Sequence, residues 1–230
     1  MIVGSGLLAQ GFRKYSGRDD IVIFASGVSN SAETDQAAYS REQNLLERHL
    51  CGVDRLFVYF STCSIFDPER QDSRYTRHKL AMEALIAAAA PRHYIFRLPQ
   101  VVGNIGNPNT LANFLHDKIK AGESFNVWAR APRALLDIED VCRICSYVID
   151  NEALPSGAMN VFPPFAVTAL DIVRAFEVIL GRVGKYEVLP LGTPYHVDTT
   201  DMAAIMAAAG VEFPSNYFEK ILRKYYVRHG

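Results

Sequence analysis

The sequence predicts an α/β fold in which a parallel sheet is buried between two layers of helices. Three observations carry this. Apolar runs alternate with amphipathic stretches along the first half of the chain. The apolar runs are continuous instead of alternating with polar residues, as strands covered on both faces require. A glycine-rich turn, Gly4-Ser5-Gly6, joins the first apolar run to the first amphipathic stretch, the place where such folds bend from strand into helix.

The elements follow in order. Residues 1–3 (MIV) make a short first strand, and LLAQGFRKY (7–15) the helix after it. IVIFA (21–25), RLFVYF (55–60) and HYIFRLPQVV (93–102) read as further strands. Between and after them, AYSREQNLLERHL (38–50), RYTRHKLAMEALIAAAA (74–90) and TLANFLHDKIKAG (110–122) carry helical periodicity. Past Gly103 the rhythm loosens. NIGNPN (104–109) is a turn-rich loop, and short strands are predicted in FNVWA, ALLDI, AMNVF and KYEVLPL, with helices at 139–150 and 168–180. VDTTDMAAIMAAAG (197–210) reads as an Asp or Thr cap, an Ala-rich helix and a Gly stop. No internal repeat or low-complexity linker interrupts the chain, so a second lobe is expected to interleave with the sheet.

With 230 residues, 49% hydrophobic and 21% charged, the chain has the composition of one large or two small globular domains, which excludes disordered and fibrous classes. Its 24 basic and 25 acidic residues give a formal charge of −1 without a Lys/Arg stripe, so no nucleic-acid partner is expected. No run approaches the roughly 18 unbroken apolar residues of a membrane helix, and Met1 leads straight into IVGSG without a basic region and apolar core; the expectation is a cytoplasmic protein with no membrane partner. Cys51, Cys63, Cys142 and Cys145 read as reduced thiols. The CxxC spacing of Cys142 and Cys145 falls inside a helical pattern with no second pair or clustered His, so buried thiols are expected and no metal.

Two motifs carry chemistry. In Gly4-Ser5-Gly6-Leu7-Leu8-Ala9, Gly4 permits a tight turn, Gly6 lets a pyrophosphate approach the backbone, and Ala9 keeps helix and strand close; the backbone N–H groups at the helix start would receive the phosphates. A ligand-free turn would look the same. The second motif follows the strand RLFVYF: Ser61-Thr62-Cys63-Ser64, then Tyr75 and Lys79 four apart and therefore on one helical face. An ammonium one turn from a phenol favours the phenolate, which suits a general acid or base, and a hydroxyl at a neighbouring strand end can hold the oxygen that exchanges the proton.

With these motifs in this order, the sequence resembles the short-chain dehydrogenase/reductase family, in its extended branch of nucleotide-sugar epimerases, dehydratases and reductases. The resemblance covers nearly the whole chain. It implies a Rossmann-like parallel sheet and a small interleaved carboxyl-terminal substrate lobe, with 1–103 and 134–162 as the nucleotide-binding core and 104–133 and 163–230 as the lobe. It implies NAD or NADP as cofactor, lying against Gly4, Ser5, Gly6, Leu7 and Leu8, against Ala25, Ser26 and Gly27 of the strand that passes under the nicotinamide, and against Leu98 and Pro99 of RLPQVVG. The catalytic residues carried over are Thr62 on YFSTCSIFD, and Tyr75 and Lys79 on SRYTRHKLAMEALI, with Lys79 also holding the nicotinamide ribose. A nucleotide-sugar substrate would meet Asn30, Thr62, Gln100 and Arg133, the last clamping the diphosphate, and a homodimer would pair through 31–50 and 74–90. Arg133 as a solvated loop arginine, Asn30 as a turn former, Asp137 and Asp140 as helix-start charges and Trp128 as core are the simpler alternatives for those residues.

The chain also departs from the family. Only about ten residues, Gly11 to Asp20, separate the first helix from IVIFA. The usual second and third strands do not fit, and neither does the residue that reads the adenosine ribose. IVIFA as the second strand is the alternative, which its continuation into ASGV and NLLE disfavours. Val3 stands where the branch has its first glycine, and Gln100 where relatives carry Asn. Cys63 and Ser64 occupy the two positions where 4,6-dehydratases carry carboxylates, which leaves epimerisation or keto-sugar reduction as the expected reaction. The rival expectation is a cofactor-poor binding or assembly protein on the same fold.

Overall fold

The computed structural model describes residues 1–104 and 107–227. Its strands are β1 (Ile2–Val3), β2 (Ile21–Phe24), β3 (Leu56–Thr62), β4 (His93–Leu98), β5 (Gln100–Val102), β6 (Ser124–Trp128), β7 (Pro132–Arg133), β8 (Leu135–Asp137), β9 (Gly157–Asn160), β10 (Val167–Thr168) and β11 (Lys185–Leu189). Its helices are α1 (Leu7–Gly11), α2 (Gln36–Leu50), α3 (Arg74–Ala89), α4 (Leu111–Ala121), α5 (Ile138–Asn151), α6 (Ala169–Leu180), α7 (Thr200–Ala208) and α8 (Tyr217–Tyr226).

A five-stranded sheet in the order β1-β2-β3-β4-β9, parallel throughout, forms the centre. All four residues of β2 and all seven of β3 are buried, which is why these segments read as unbroken apolar runs. On one face Val22, Phe24, Phe57 and Tyr59 pack with Leu46 and Leu50 of α2 and Met82 and Ile86 of α3. On the other, Ile21, Ile23, Val58, Phe60 and Phe96 pack with Phe12 and with Val141, Ile144 and Val148 of α5. Truncating Phe96, which has no solvent exposure, to alanine would cost about 3–5 kcal/mol.

The shortened amino-terminal connection decides how this sheet begins. β1 is an edge strand, and β2 lies between it and β3. That is the position of the family's fourth strand, so the alternative in which IVIFA replaces the second strand is not what the chain adopts. Residues 4–20 hold only the five-residue α1 and a 3-10 turn at Arg13–Tyr15. α1 lies against α5, where a Cβ on Gly11 would stand 2.5 Å from Cys142 Sγ, whereas α2 covers the opposite face. Because both connections step the same way across the sheet, β1–α1–β2 has the opposite hand to β2–α2–β3. A compact connection without intervening strands is what places the chain in that uncommon topology.

The run HYIFRLPQVV, expected as one strand, is two. Pro99 lacks the N–H that a ladder needs, and after it the chain leaves β4 and pairs β5 with β8. Two further small pairs, β7 with β10 and β6 with β11, are built by segments far apart in sequence. Part of the NIGNPN loop, Ile105 and Gly106, lies outside the described residues. At the carboxyl end α8 packs on α6 and β8, and its side chains bond the start of α5. Asp137 caps α5 by accepting from the Glu139 N–H (2.9 Å) and also accepts from Lys224 Nζ (2.8 Å) and Tyr225 OH (2.7 Å), while Asp140 accepts from Tyr217 OH (2.6 Å).

Candidate active site

The loops at the carboxyl ends of β1, β2, β3 and β4 bring most of the predicted residues to one end of the sheet. Gly4, at φ +122°, presses against the turn after β2: a Cβ there would lie 2.4 Å from the Ala25 carbonyl oxygen. Glycine is therefore needed at position 4 for this contact as well as for its backbone angle. Gly6 starts α1, and a Cβ on it would meet nothing within 4 Å. Among the described residues no side chain caps the first turn of α1, to which Leu7 and Leu8 belong, and the carbonyl of Ser5 accepts from Gln10 Nε2 (3.1 Å). Open space beside uncapped N–H groups is a fit for a phosphate group.

Lys79 and Tyr75 lie one turn apart on α3, with the Lys79 nitrogen 6.0 Å from the Tyr75 ring centroid. Lys79 is only 3% exposed and donates to Glu42 Oε1 (3.0 Å) and Tyr59 OH (3.0 Å). Its ammonium sits beneath the loop after β2, where a Cβ on Gly27 would be 2.5 Å from it. Ala25 and Ser26 in that loop are half-buried, and Gly27 is exposed. Among the described residues the Tyr75 hydroxyl makes no hydrogen bond, and its ring packs beside Val28, Ala38 and Tyr39. Thr62, at the end of β3, is buried and turns its hydroxyl to Ser64, accepting from the Ser64 N–H (3.0 Å) and sharing a hydrogen bond with Ser64 Oγ (3.0 Å). Cys63 is buried and bonds the Arg97 carbonyl (3.3 Å); burial pushes its thiol far up, so it is inert as a nucleophile.

Glu42 was missed in the sequence, although a signal was there. The buried face of α2 reads Ala38, Tyr39, Glu42, Leu46, Leu50, a helical stripe with one carboxylate in it. Glu42 accepts from the Val28 N–H (2.6 Å) and Tyr59 OH (2.6 Å) as well as from Lys79, and lies 3.1 Å from His78 Nε2. Burial alone would raise its carboxyl; the Lys79 ammonium and the hydrogen bonds from His78, Tyr59 and Val28 outweigh that and hold it at about 2.

The predicted substrate residues divide. Asn30 forms a turn, its side chain accepting from the Ala32 N–H (3.0 Å). Leu98 is buried, and Pro99 and Gln100 are half-buried at the break between β4 and β5. Gln100 Oε1, Arg133 Nε and Asn160 Oδ1 are buried without hydrogen-bond partners among the described residues. Such atoms cost free energy unless a ligand or water satisfies them. Burial lowers the Arg133 guanidinium from its ordinary value and neighbouring Arg70 adds to this, with Asp67 and Tyr195 acting the other way. Among the described residues no group of three or more His, Cys, Asp or Glu is placed to hold a metal. No helix among them is long and apolar enough to cross a membrane.

Against known proteins, a profile described as the NAD dependent epimerase/dehydratase family matches residues 8–161. The fold resembles that of UDP-glucuronic acid 4-epimerase from Bacillus cereus, solved with UDP-glucuronic acid and NAD, at a TM-score of 0.72 and 17% identity, covering 96% of this chain and 79% of that one. The UDP-glucose 4-epimerase of Thermus thermophilus, solved with NAD, aligns at a TM-score of 0.69 and 16% identity over 96% of this chain and 80% of that one. A curated relative, the FMN-dependent NADH:quinone oxidoreductase of Hydrogenovibrio crunogenus, is 24% identical over 117 residues, 51% of this chain and 58% of that protein. The match thus spans little more than half the length of that relative.

Proposed function

The chain belongs to the NAD dependent epimerase/dehydratase family, and on that premise we propose that it is an oxidoreductase using NAD or NADP to act on a nucleotide-activated sugar, as an epimerase or a keto-sugar reductase. The observation that carries this reading is the buried Lys79 ammonium, which lies beneath the Gly27 loop and 6.0 Å from the ring centroid of Tyr75. When bound, the nicotinamide supplies hydride removal and return. The chain's own residues do the rest. Tyr75, whose hydroxyl is free of partners among the described residues, exchanges a proton with a sugar hydroxyl or keto oxygen. Thr62 orients that oxygen. Lys79 holds the nicotinamide ribose. Arg133, whose Nε has no partner among the described residues, takes the diphosphate in a planar fork, and Gln100 and Asn30 face the sugar.

The residues present fit one half of the cofactor better than the other. The open space at Gly6 and the uncapped first turn of α1 suit a diphosphate, with Gly4, Ser5, Leu7 and Leu8 around it, while Ala25, Ser26, Gly27, Leu98 and Pro99 line the nicotinamide side. On the adenosine side β1 is the sheet edge, and among the described residues no outer strand carries a residue for the ribose. In this reading 1–103 and 134–162 bind the nucleotide, 104–133 and 163–230 the sugar, and two copies pair through 31–50 and 74–90.

That same edge favours a second reading, a cofactor-poor protein that binds or assembles without catalysis. Calorimetric titration with NADH, together with mass spectrometry of ligand released from the purified protein, separates the two. Binding or co-purified nicotinamide supports the enzyme; a protein that shows neither would overturn it.

A further inference from the structure

Glu42 and Lys79 are a buried ion pair between α2 and α3, 1% and 3% exposed and 3.0 Å apart. Burying two charges is expensive, and such a pair returns little stability compared with apolar packing of the same volume. Three elements nonetheless converge on it. Tyr59 of β3 donates to Glu42 and accepts from Lys79, His78 of α3 approaches Glu42, and the Val28 N–H ties the loop after β2 to the same carboxylate. Tyr75 on α3 and Tyr39 on α2 complete the surroundings. The nearby Glu83 is already matched, by Arg97 at 2.6 Å. Charge balance beneath the Gly27 loop therefore rests on Glu42 and Lys79 together.

An unbalanced ammonium in that place would repel a ring that carries positive charge and leave a neutral ring unaffected, and at low local dielectric the difference is large. The oxidised nicotinamide is such a cation and the reduced one is neutral. We propose that Glu42 is a positioning and charge-balancing residue, which holds Lys79 under the Gly27 loop and lets the site accept oxidised and reduced nicotinamide with similar affinity. This rests on the reading of the site as a nicotinamide site. A reaction that removes hydride and returns it at one centre needs that tolerance, because the cofactor must stay bound in both states.

The test is the ratio of dissociation constants for NAD+ and NADH, measured by calorimetry on the full chain and on E42Q, K79M and the double variant. E42Q is expected to raise the NAD+/NADH ratio about tenfold, which corresponds to about 1.4 kcal/mol of unbalanced charge. K79M, in which Val28, Tyr59 and His78 still surround the carboxylate, should move the ratio the other way, and the double variant should bring it back to within about threefold of the parent. If E42Q does not fold, the opposite sign in K79M decides the matter. Equal weakening of both cofactors in every variant would make Glu42 a structural brace and overturn the proposal, leaving the nicotinamide reading intact. A parent that binds neither cofactor would overturn both.

Discussion

Lys79 passes so close beneath Gly27 that a Cβ on the glycine would stand 2.5 Å from the ammonium nitrogen. The lysine is the flexible partner, yet it is pinned by Glu42 and Tyr59, so a methyl group at position 27 must break those hydrogen bonds or lift the loop. Gly27→Ala is therefore expected to weaken NADH binding about tenfold, the ~1.4 kcal/mol of one disrupted charged hydrogen bond. Calorimetry beside a thermal melt checks this; unchanged affinity would mean that the position of Lys79 does not matter to the ligand.

Tyr75→Phe and Lys79→Ala should each lower turnover by about two orders of magnitude or more, as general acid–base groups contribute roughly 10² to 10⁴. Thr62→Ala should cost less, because water can stand in for a hydroxyl that already shares its hydrogen bonds with Ser64. Steady-state kinetics on folded variants decides, and an active Tyr75→Phe protein would remove tyrosine from the mechanism.

How much of this could be read beforehand depends on where each determinant lies. The central strands and their helices were legible because β2 and β3 are buried on both faces and so appear as unbroken apolar runs. The missing strands followed from chain length alone, since residues 4–20 cannot hold them. Which face α1 would take was not legible, because a pattern of apolar residues says that a helix is covered but not by which side of the sheet. Pro99 was a visible break whose consequence depended on β8, far along the chain. Glu42 was hidden for a similar reason: its partners Val28, Tyr59, His78 and Lys79 come from other elements, and only their meeting makes a buried carboxylate tolerable.

Discrimination between NAD and NADP is expected to be weak. β1 forms the edge of the sheet, so among the described residues no side chain at the end of an outer strand is placed to meet the 2′ position. Calorimetric titration with both cofactors should differ by less than about a hundredfold, roughly 2.7 kcal/mol. A larger preference would mean that another segment supplies the recognition.

Acid should act on the fold through Glu42. Its carboxyl is held at about 2, below the ordinary 4.5, because the Lys79 ammonium and three hydrogen bonds outweigh burial. A group depressed in the folded state stabilises fully above its unfolded value and loses that contribution as pH falls, here from about 4.5 towards 2, about 3 kcal/mol in all. Urea unfolding between pH 7 and pH 3 should show stability dropping below about pH 5, with a shallower drop in Glu42→Gln. Equal slopes would assign the acid limb to other carboxylates.

The central claim, hydride removal and return on a nucleotide-activated sugar by a Tyr75, Thr62 and Lys79 centre, is met most directly by one incubation. The protein is mixed with a panel of nucleotide-diphosphate hexoses and NAD, and with 4-keto sugars and NADH or NADPH, and the products are read by chromatography and mass spectrometry. An isomer of unchanged mass, or a keto sugar that gains two hydrogens, is the expected result, and it should disappear in Tyr75→Phe. A product lighter by one water would contradict the account, because Cys63 and Ser64 leave elimination without carboxylates at those two positions.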